Sequence, residues 1–223
     1  MSHTVHPYSH RLGIIRDWKS RWFGTKDKYK EYLRGDLVIR RFLDKKLRGQ
    51  YVSSIEIERN EKVLRVIIET SRVGMIMGRS GDGAVKLKNE VIAALKKAGL
   101  GNQKGEFRLD IKELKSPESN AVIVAQMVAE GLEKRMPYRR VTKQIIEKVM
   151  ANRDVKGVKI TIGGRLGGAS IARSETKKLG QIPLQTFRAD VEFARYEARL
   201  PYGNLGVKVW IYKGEVFSKK PDA

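Results

Sequence analysis

The stretch GMIMGRSGDG, residues 74–83, decides the fold of this chain. An apolar segment at 63–70 precedes it and is typical of a strand, and Asp82 stands where a helix N-cap is expected. The apolar residues of the following helix are Ala84, Leu87, Val91 and Leu95. The pattern therefore predicts a strand, a short helical turn, a glycine loop and a helix.

The glycine loop has the pattern Gly-x-x-Gly and consists of Gly78, Arg79, Ser80 and Gly81. It lacks the lysine of a Walker loop and the spaced glycines of a dinucleotide-binding turn. KH modules use such a loop to clamp the backbone of about four nucleotides. Glycine lets a sugar-phosphate chain approach the peptide backbone, and an arginine can pair with a phosphate. A plain turn between two helices explains the same residues, so the surroundings decide.

The composition favours a polyanionic partner. With 46 Lys plus Arg against 25 Asp plus Glu among 223 residues, the formal net charge is +21, more than solubility requires. A membrane surface is the other common polyanion, but the chain has no signal-peptide pattern, no lipidation signal and no apolar run of about 18 residues. We therefore expect no membrane partner. The 41% of hydrophobic residues suffices for one large core or two modest ones.

Thiol and metal chemistry have little support in the sequence. The absence of cysteine excludes a disulfide framework, a thiolate nucleophile and a cysteine-based zinc site, and it fits the reducing cytoplasm. The histidines, His3, His6 and His10, lie in the first ten residues, where a basic arm is a better interpretation than a metal site. We expect neither a metal nor a cofactor.

Residues 1–24 are predicted to form a basic and aromatic N-terminal arm that is too short for a core of its own. Arg11, Trp18 and Trp22 are its candidate RNA-binding residues, because aromatic rings stack on bases and basic residues pair with phosphates. The alternative is that Trp18, Trp22 and Phe23 pack on the domain that follows.

Residues 25–116 are predicted to form a KH RNA-binding domain. A helix over 27–47 is expected to be interrupted at Gly35, with Asp36 as a new N-cap. The predicted strands are 51–59, 62–70 and a third around 107–111. The order helix, strand, strand, helix, loop, helix, strand is that of the KH module in its prokaryotic arrangement. This context favours the RNA-binding interpretation of the glycine loop.

A second domain is predicted over 117–217, followed by a tail at 218–223. Its predicted elements are a helix capped by Ser119 or Asn120 and ending near Pro137, a helix at 138–151, and strands at 158–162, 188–198 and 205–212. Helices followed by antiparallel strands make this domain α+β.

Arg139, Arg140 and Lys143 lie within one turn at the start of the second of these helices. Charged runs are often only the solvated face of a helix. Cations near a helix N-terminus, however, add to the positive end of the macrodipole, which is unfavourable unless an anion binds there. A phosphate-binding role is therefore the better explanation.

A glycine run at 163–168 contains four glycines, with Arg165 inside it and Arg173 after it. Such a run allows another backbone to approach closely, and the arginines supply charge for phosphates. A glycine-rich hairpin with positive φ angles explains the same residues equally well.

Several motifs occur in a fixed order along the chain. Besides the glycine loop they are His6-Pro7, Arg11-Leu12-Gly13-Ile14, Tyr138-Arg139-Arg140, the run 164–173, Leu184 with Arg188-Ala189-Asp190, and Tyr202-Gly203 with 206–211. In this combination the chain resembles the bacterial type of small-subunit ribosomal protein S-three. The resemblance implies a structural protein, not an enzyme, that binds small-subunit rRNA and neighbouring proteins in the head of the subunit. It implies no small-molecule substrate.

The resemblance also implies that Arg139, Arg140 and Lys143 line the channel through which messenger RNA enters the ribosome, where they help to unwind it. The glycine loop departs from the family pattern. Arg79-Ser80 stands where two lysines are common, and Gly83 stands where a bulkier polar residue is more usual.

Two other functions compete with this interpretation. A free-standing KH-type regulator would leave the C-terminal motifs unexplained. A lyase acting at abasic sites would need a lysine nucleophile with a depressed pKa, and no lysine stands out from the other cations. Asp190 and Glu192 alternate along a predicted strand without a histidine nearby, so a metal nuclease is unsupported as well.

Overall fold

The computed structural model describes residues 5–60, 62–100 and 106–217, which form two units. The continuous unit is Trp18–Lys115, and the discontinuous unit joins the described residues up to Asp17 to those from Ser116 onward. The predicted arm at 1–24 is thus divided after Asp17 between the two units. The predicted tail at 218–223, like His3, lies outside the described residues.

The helices and strands follow one another in the order predicted, with additions. They are α1 Pro7–His10, β1 Ser20–Arg21, α2 Lys26–Lys46, β2 Val52–Arg59, β3 Val63–Thr70, α3 Val73–Met77, α4 Asp82–Lys97, β4 Glu106–Glu113, α5 Ala121–Glu133, α6 Tyr138–Met150, β5 Gly157–Gly164, β6 Arg173–Gly180, β7 Ala189–Leu200 and β8 Gly203–Glu215. None of the described helices is long and apolar enough to cross a bilayer.

The continuous unit is a sheet of order β1-β2-β3-β4 covered by α2 and α4. β2 and β3 form an antiparallel hairpin, whereas β3 and β4 are parallel. Parallel neighbours need a crossover connection, and α3, the glycine loop and α4 supply it. The core side of the two helices carries Ile39, Leu43, Leu87 and Val91, all nearly or completely buried. The crossover thus places the glycine loop between α3 and α4, shortly after the end of β3.

The predicted interruption of α2 at Gly35 is wrong, because the helix runs unbroken from Lys26 to Lys46. Asp36 is buried and does not cap a helix. Its carboxylate accepts hydrogen bonds from Trp22 Nε1 at 2.7 Å and from Arg59 at 3.1 Å. These partners satisfy the carboxylate inside the helix, and a mid-helix glycine costs only about 1 kcal/mol. The predicted N-cap role of Asp82 is also wrong. Gly81 occupies the N-cap of α4, and Asp82 is the first helical residue.

The discontinuous unit packs α5 and α6 on one face of an antiparallel sheet of order β6-β5-β8-β7. Asn120 caps α5, its side chain accepting from the backbone N–H groups of Val122 and Ile123. The strands that face the helices bury residues such as Val158, Ile160 and Val209. The predicted α+β class with an antiparallel sheet is confirmed.

β6 is the strand that the sequence pattern missed. It lies at the edge of the sheet and pairs with β5 alone. Its residues are exposed except for Glu175 and Lys177, which are half-buried. Without buried apolar positions there is no alternation of apolar and polar residues, which is the usual signal of a strand.

Candidate nucleic-acid interface

The glycine loop connects α3 to α4 through a short helical turn at Arg79–Gly81. Gly78 and Gly81 have φ angles of +68° and +85°, which residues with a Cβ rarely adopt. A Cβ on Gly81 would meet no atom within 4 Å, so the space in front of this glycine is open. The loop needs its two glycines for conformation, and Arg79 beside them is exposed.

Gly83 has a packing role instead. A Cβ at this position would lie 2.5 Å from the carbonyl oxygen of Ile76 and 2.8 Å from that of Met77. The start of α4 therefore packs directly against the end of α3. In this chain a bulkier residue would force the two helices apart.

Apolar side chains flank the loop in both helices. Met75 is 57% exposed, Met77 42% and Val85 58%. Asp82 lies in the first turn of α4, where its negative charge is favourable with the helix macrodipole. The same charge competes with a phosphate for the helix N-terminus. The loop thus offers open backbone, one exposed arginine and apolar contact area, with a carboxylate close by.

The second candidate region is the start of α6. Arg139, Arg140 and Lys143, here called the α6 patch, are all exposed. The side chains of Arg139 and Lys143 are 74% and 73% exposed. The first turn of α6 contains no acidic residue. The positive end of the helix dipole and the three cations therefore point into the same region of solvent.

The buried side of α6 holds the patch in place. Val141 and Thr142 are almost fully buried, and Thr142 Oγ1 donates to the carbonyl oxygen of Tyr138 at 3.0 Å. Pro137 precedes the helix with a φ of −56°, a value already suited to helical backbone. The backbone under the three cations is thus rigid.

The α6 patch forms only weak ion pairs. Arg139 Nε lies 3.7 Å from a Glu175 oxygen, and Lys143 Nζ lies 4.0 Å from a Glu147 oxygen. Exposed pairs contribute about 0–1 kcal/mol each. Arg173 precedes Glu175 by two residues on the same face of β6. The structure therefore brings Arg173 to the side of the sheet where the α6 patch lies.

A cleft of about 360 Å³ opens beside the start of α6. Its lining includes Arg135, Tyr138, Arg165 and Tyr202. Tyr202 is exposed, and the Arg165 guanidinium carbon lies 5.9 Å from the centre of its ring. Unpaired bases stack on aromatic rings and on guanidinium planes. The cleft has the size and chemistry to accept a base.

The side chain of Arg165 forms hydrogen bonds that hold the glycine run in its conformation. Its Nε donates to the carbonyl oxygen of Ala169 at 2.9 Å, and its Nη1 donates to that of Tyr202 at 3.3 Å. Gly167 and Gly168 have positive φ angles. These contacts favour the hairpin interpretation of the run, which joins β5 to β6, and they leave Arg165 exposed at the rim of the cleft.

The predicted contact between Arg11 and RNA is wrong. Arg11 is 0% exposed. Its guanidinium donates to the carbonyl oxygens of Pro7, Pro183, Leu184, Thr186 and Ala189. Burial lowers the pKa of this guanidinium, and the nearby Asp190 opposes that effect. Arg11 therefore anchors the N-terminal segment to the discontinuous unit and has no face left for a phosphate.

Trp18 and Trp22, the two tryptophans of the predicted arm, differ in exposure. Trp22 is half-buried, donates to the buried Asp36, and lies against Tyr29 and Tyr32 with ring centres 5.2 Å and 5.6 Å away. The structure favours the alternative interpretation for Trp22, that it packs on its own domain. Trp18 is 56% exposed, and its contact with RNA stays a prediction.

Asp190 and Glu192 of β7 form ion pairs and hydrogen bonds within the fold. Asp190 and Glu192 both pair with Arg16, and Glu192 also accepts from Lys213 and from the backbone N–H of Ala121 at the start of α5. Within the described ranges, no three His, Asp or Glu side chains lie close enough to hold a metal ion. The pair therefore joins the N-terminal segment and α5 to the sheet.

Known proteins match both halves of the chain. A family model described as "KH domain" matches residues 38–119, which include the glycine loop, and one described as "Ribosomal protein S3, C-terminal domain" matches residues 128–211, which include the α6 patch. Curated proteins named "Small ribosomal subunit protein uS3" match nearly its whole length.

Three such relatives come from different bacteria. That of Caldicellulosiruptor saccharolyticus is 46% identical over 220 residues, covering 99% of this chain and 96% of the relative. That of Hydrogenovibrio crunogenus is 42% identical over 219 residues, covering 98% and 92%. That of Coxiella burnetii strain RSA 493 is 40% identical over 223 residues, covering 100% and 94%.

Proposed function

The chain belongs to the uS3 family of small ribosomal subunit proteins, and we propose that its α6 patch guides messenger RNA into the subunit while its other basic surfaces hold the rRNA of the head. As a family member it is a structural constituent of the small subunit and not an enzyme. It belongs to the cytoplasmic ribosome, with rRNA and other ribosomal proteins as its partners.

The observation that carries the proposal is the uncompensated charge at the start of α6. Three exposed cations stand at a helix N-terminus that has no acidic residue in its first turn. A cation in the first turn of a helix costs about 0.3–1 kcal/mol against the macrodipole. Arg139 and Arg140 stand in that turn. The pairs of Arg139 with Glu175 and of Lys143 with Glu147 are long and exposed, and Arg140 forms no ion pair with a described residue, so the three cations are not fully compensated. A phosphate chain lying on the patch would compensate all three cations.

The mechanism is electrostatic. Phosphates bound to the α6 patch release their condensed counterions, so the affinity for a single strand should fall with a slope of about −0.7 per contacted phosphate in a plot of log K against log salt. Holding a separated strand lowers the free energy needed to open each base pair. The cleft beside Tyr138 would accept an unstacked base of the same strand. Together the α6 patch and the cleft would favour the open state of a messenger hairpin.

The glycine loop and Arg173 complete the proposed set of RNA contacts. Gly78, Arg79, Ser80 and Gly81 would hold rRNA backbone at the open side of the loop. The exposed apolar side chains of Met75 and Met77 would lie against bases. Asp82 weakens this site for phosphate, so we assign the larger electrostatic contribution to the α6 patch.

The test neutralises the α6 patch in assembled ribosomes with Arg139→Ala, Arg140→Ala and Lys143→Ala together. We expect normal subunit assembly and normal speed on unstructured messages, but slower translation through stable hairpins. A matched variant with Lys28→Ala, Lys30→Ala and Arg34→Ala removes the same charge from exposed positions of α2, and it should translate hairpins at the normal speed. Equal speed of the patch variant on both kinds of message would refute the assignment.

A further inference from the structure

The face of the antiparallel sheet that points away from α5 and α6 has an ordered pattern of side chains. Strand register places them in rows that cross all four strands in the order β6, β5, β8, β7. The first row is Lys178, Lys159, Trp210 and Phe193, the second is Thr176, Thr161, Lys208 and Arg195, and the third is Ser174, Gly163, Gly206 and Glu197. These twelve positions are called the open face below; toward its β7 end Trp210 is buried and Phe193, whose ring centre lies 4.6 Å from that of His6, is half-buried.

Like charges stand directly opposite each other on the open face. Lys159 pairs in register with Lys178, and Lys208 pairs in register with Arg195. Directly opposed like charges destabilise a sheet. One pair lies on β5 and β6 and the other on β8 and β7, in adjacent rows. Both pairs lower the stability of the sheet, and folding does not explain why they are present.

Nothing in the described part of the chain neutralises these four cations by an ion pair. Lys159 Nζ lies 4.9 Å from the ring centre of Trp210, and the Arg195 guanidinium carbon lies 5.6 Å from that of Phe193. Such contacts orient a cation without removing its charge. Lys178, Arg195 and Lys208 are exposed, so their charge faces solvent.

The third row adds an independent observation. Gly163 and Gly206 lie opposite each other in the interior of β5 and β8, and neither has a positive φ angle. A Cβ on Gly163 would come no closer than 4.0 Å to Ser174, and one on Gly206 no closer than 3.9 Å to Gly163. The fold has room for a side chain at both positions. Glycine inside a strand often marks a place where a ligand or another backbone approaches closely.

We propose that the open face binds the phosphate backbone of small-subunit rRNA, which would lie across the sheet from Lys159 and Lys178 in the first row over the second and third rows. The cations would pair with phosphates, and the two glycines would let the sugar-phosphate chain approach the sheet. Thr161 and Thr176 are hydrogen-bonded to each other with their hydroxyl oxygens 2.8 Å apart, and the hydroxyl that accepts in this pair would donate its own proton to a phosphate oxygen. This inference extends the proposed function to a surface distinct from the α6 patch.

The chemistry of the face favours RNA over a protein partner. Protein interfaces have apolar centres that are depleted of lysine. Here the second and third rows consist of hydroxyl groups, two cations, two glycines and the single carboxylate of Glu197, while Trp210 in the first row is buried. Interfaces with nucleic acid are polar and strongly positive.

The experiment uses the full chain and a transcript of the head region of small-subunit rRNA as the probe. The variant carries Lys159→Gln, Lys178→Gln, Arg195→Gln and Lys208→Gln. Its plot of log affinity against log salt should be less steep by about 3, the value for four single-strand phosphate contacts. Its melting temperature should be equal or higher, because the opposed like charges are gone. A control variant with Lys28→Gln, Lys30→Gln, Arg34→Gln and Lys45→Gln removes the same charge from α2 and should change the slope by less than about 1.

A second variant, Gly206→Ala, tests the close approach without changing charge. We expect a melting temperature at least as high as that of the unmodified chain, together with weaker binding of the transcript. Normal affinity in this variant would overturn the close approach of the backbone.

The outcomes separate this inference from the proposed function. An unchanged salt slope in the four-site variant overturns the inference, whereas the proposed function then still depends on the α6 patch variant alone. Normal binding of the transcript combined with loss of neighbouring head proteins would make the open face a protein-docking surface and overturn the inference. A full chain that does not bind the transcript at all would contradict both proposals.

Discussion

Arg11 and the α6 patch belong to the same unit and carry the same kind of charge, but their surroundings are opposite. Arg11 is completely buried, and its guanidinium donates to five backbone carbonyl oxygens. Arg139 and Lys143 keep about three quarters of their side-chain surface in solvent. Arg11 therefore stabilises the fold, whereas Arg139 and Lys143 remain exposed to solvent.

The difference teaches how to separate structural from functional cations in a basic protein. A structural cation has its hydrogen-bonding capacity filled by the fold, so removing it leaves buried acceptors without a donor. A functional cation lowers the stability of the free protein or leaves it unchanged, so removing it costs nothing until the partner is present. Stability and binding should therefore respond in opposite ways in the two regions.

The largest effect is expected for Arg11→Ala. The substitution leaves buried carbonyl oxygens unpaired, and the free energy of unfolding of the discontinuous unit should fall by roughly 3 kcal/mol or more. Arg11→Lys should rescue little, because an ammonium group cannot reproduce the planar fork of donors. Urea unfolding measures both.

Arg173→Ala is the matched control for Arg11, since it removes an exposed arginine of the same unit. It should change the free energy of unfolding by no more than about 0.5 kcal/mol. If Arg11→Ala kept full stability and lost affinity for rRNA, the distinction between the two regions would fail.

A smaller effect is expected for Trp22→Phe in the continuous unit. The indole N–H that reaches buried Asp36 is lost, while Arg59 still pairs with that carboxylate. Thermal or urea unfolding should show a loss of about 1–2 kcal/mol. Trp18→Phe, at an exposed tryptophan, should cost less than about 0.5 kcal/mol. Equal losses in the two variants would show that exposure does not separate structural from functional aromatic residues here.

The smallest effect on stability is expected for the α6 patch itself. Replacing Arg139, Arg140 and Lys143 by alanine should leave the free energy of unfolding unchanged or raise it by up to about 1 kcal/mol, because the macrodipole is no longer opposed. Asp82→Asn at the start of α4 should act in the other direction and cost about 0.3–1 kcal/mol. A marked loss of stability in the patch variant would mean that its cations support the fold.

Much of the fold followed from local patterns. The apolar spacing after the glycine loop, the alternation in β2 and the Asn120 cap all lie within a few residues of the structure that they specify. The pattern was misleading at Asp36, because a carboxylate before an apolar helical segment looks like a cap. Its actual partners, Trp22 and Arg59, are 14 and 23 residues away in the chain.

The sequence by itself determined the polyanionic partner, the two α+β halves and the family. Net charge, glycine positions and apolar periodicity are properties of the chain that need no neighbours. Only the tertiary structure decided which cations face solvent. Arg11 is surrounded by carbonyl groups from residues more than 170 positions away. The open face depends on β6, whose residues have no apolar alternation and become recognisable as a strand only when paired with β5. Burial and strand register are set by contacts distant in sequence, so the assignment of each charge to fold or to function had to come from three dimensions.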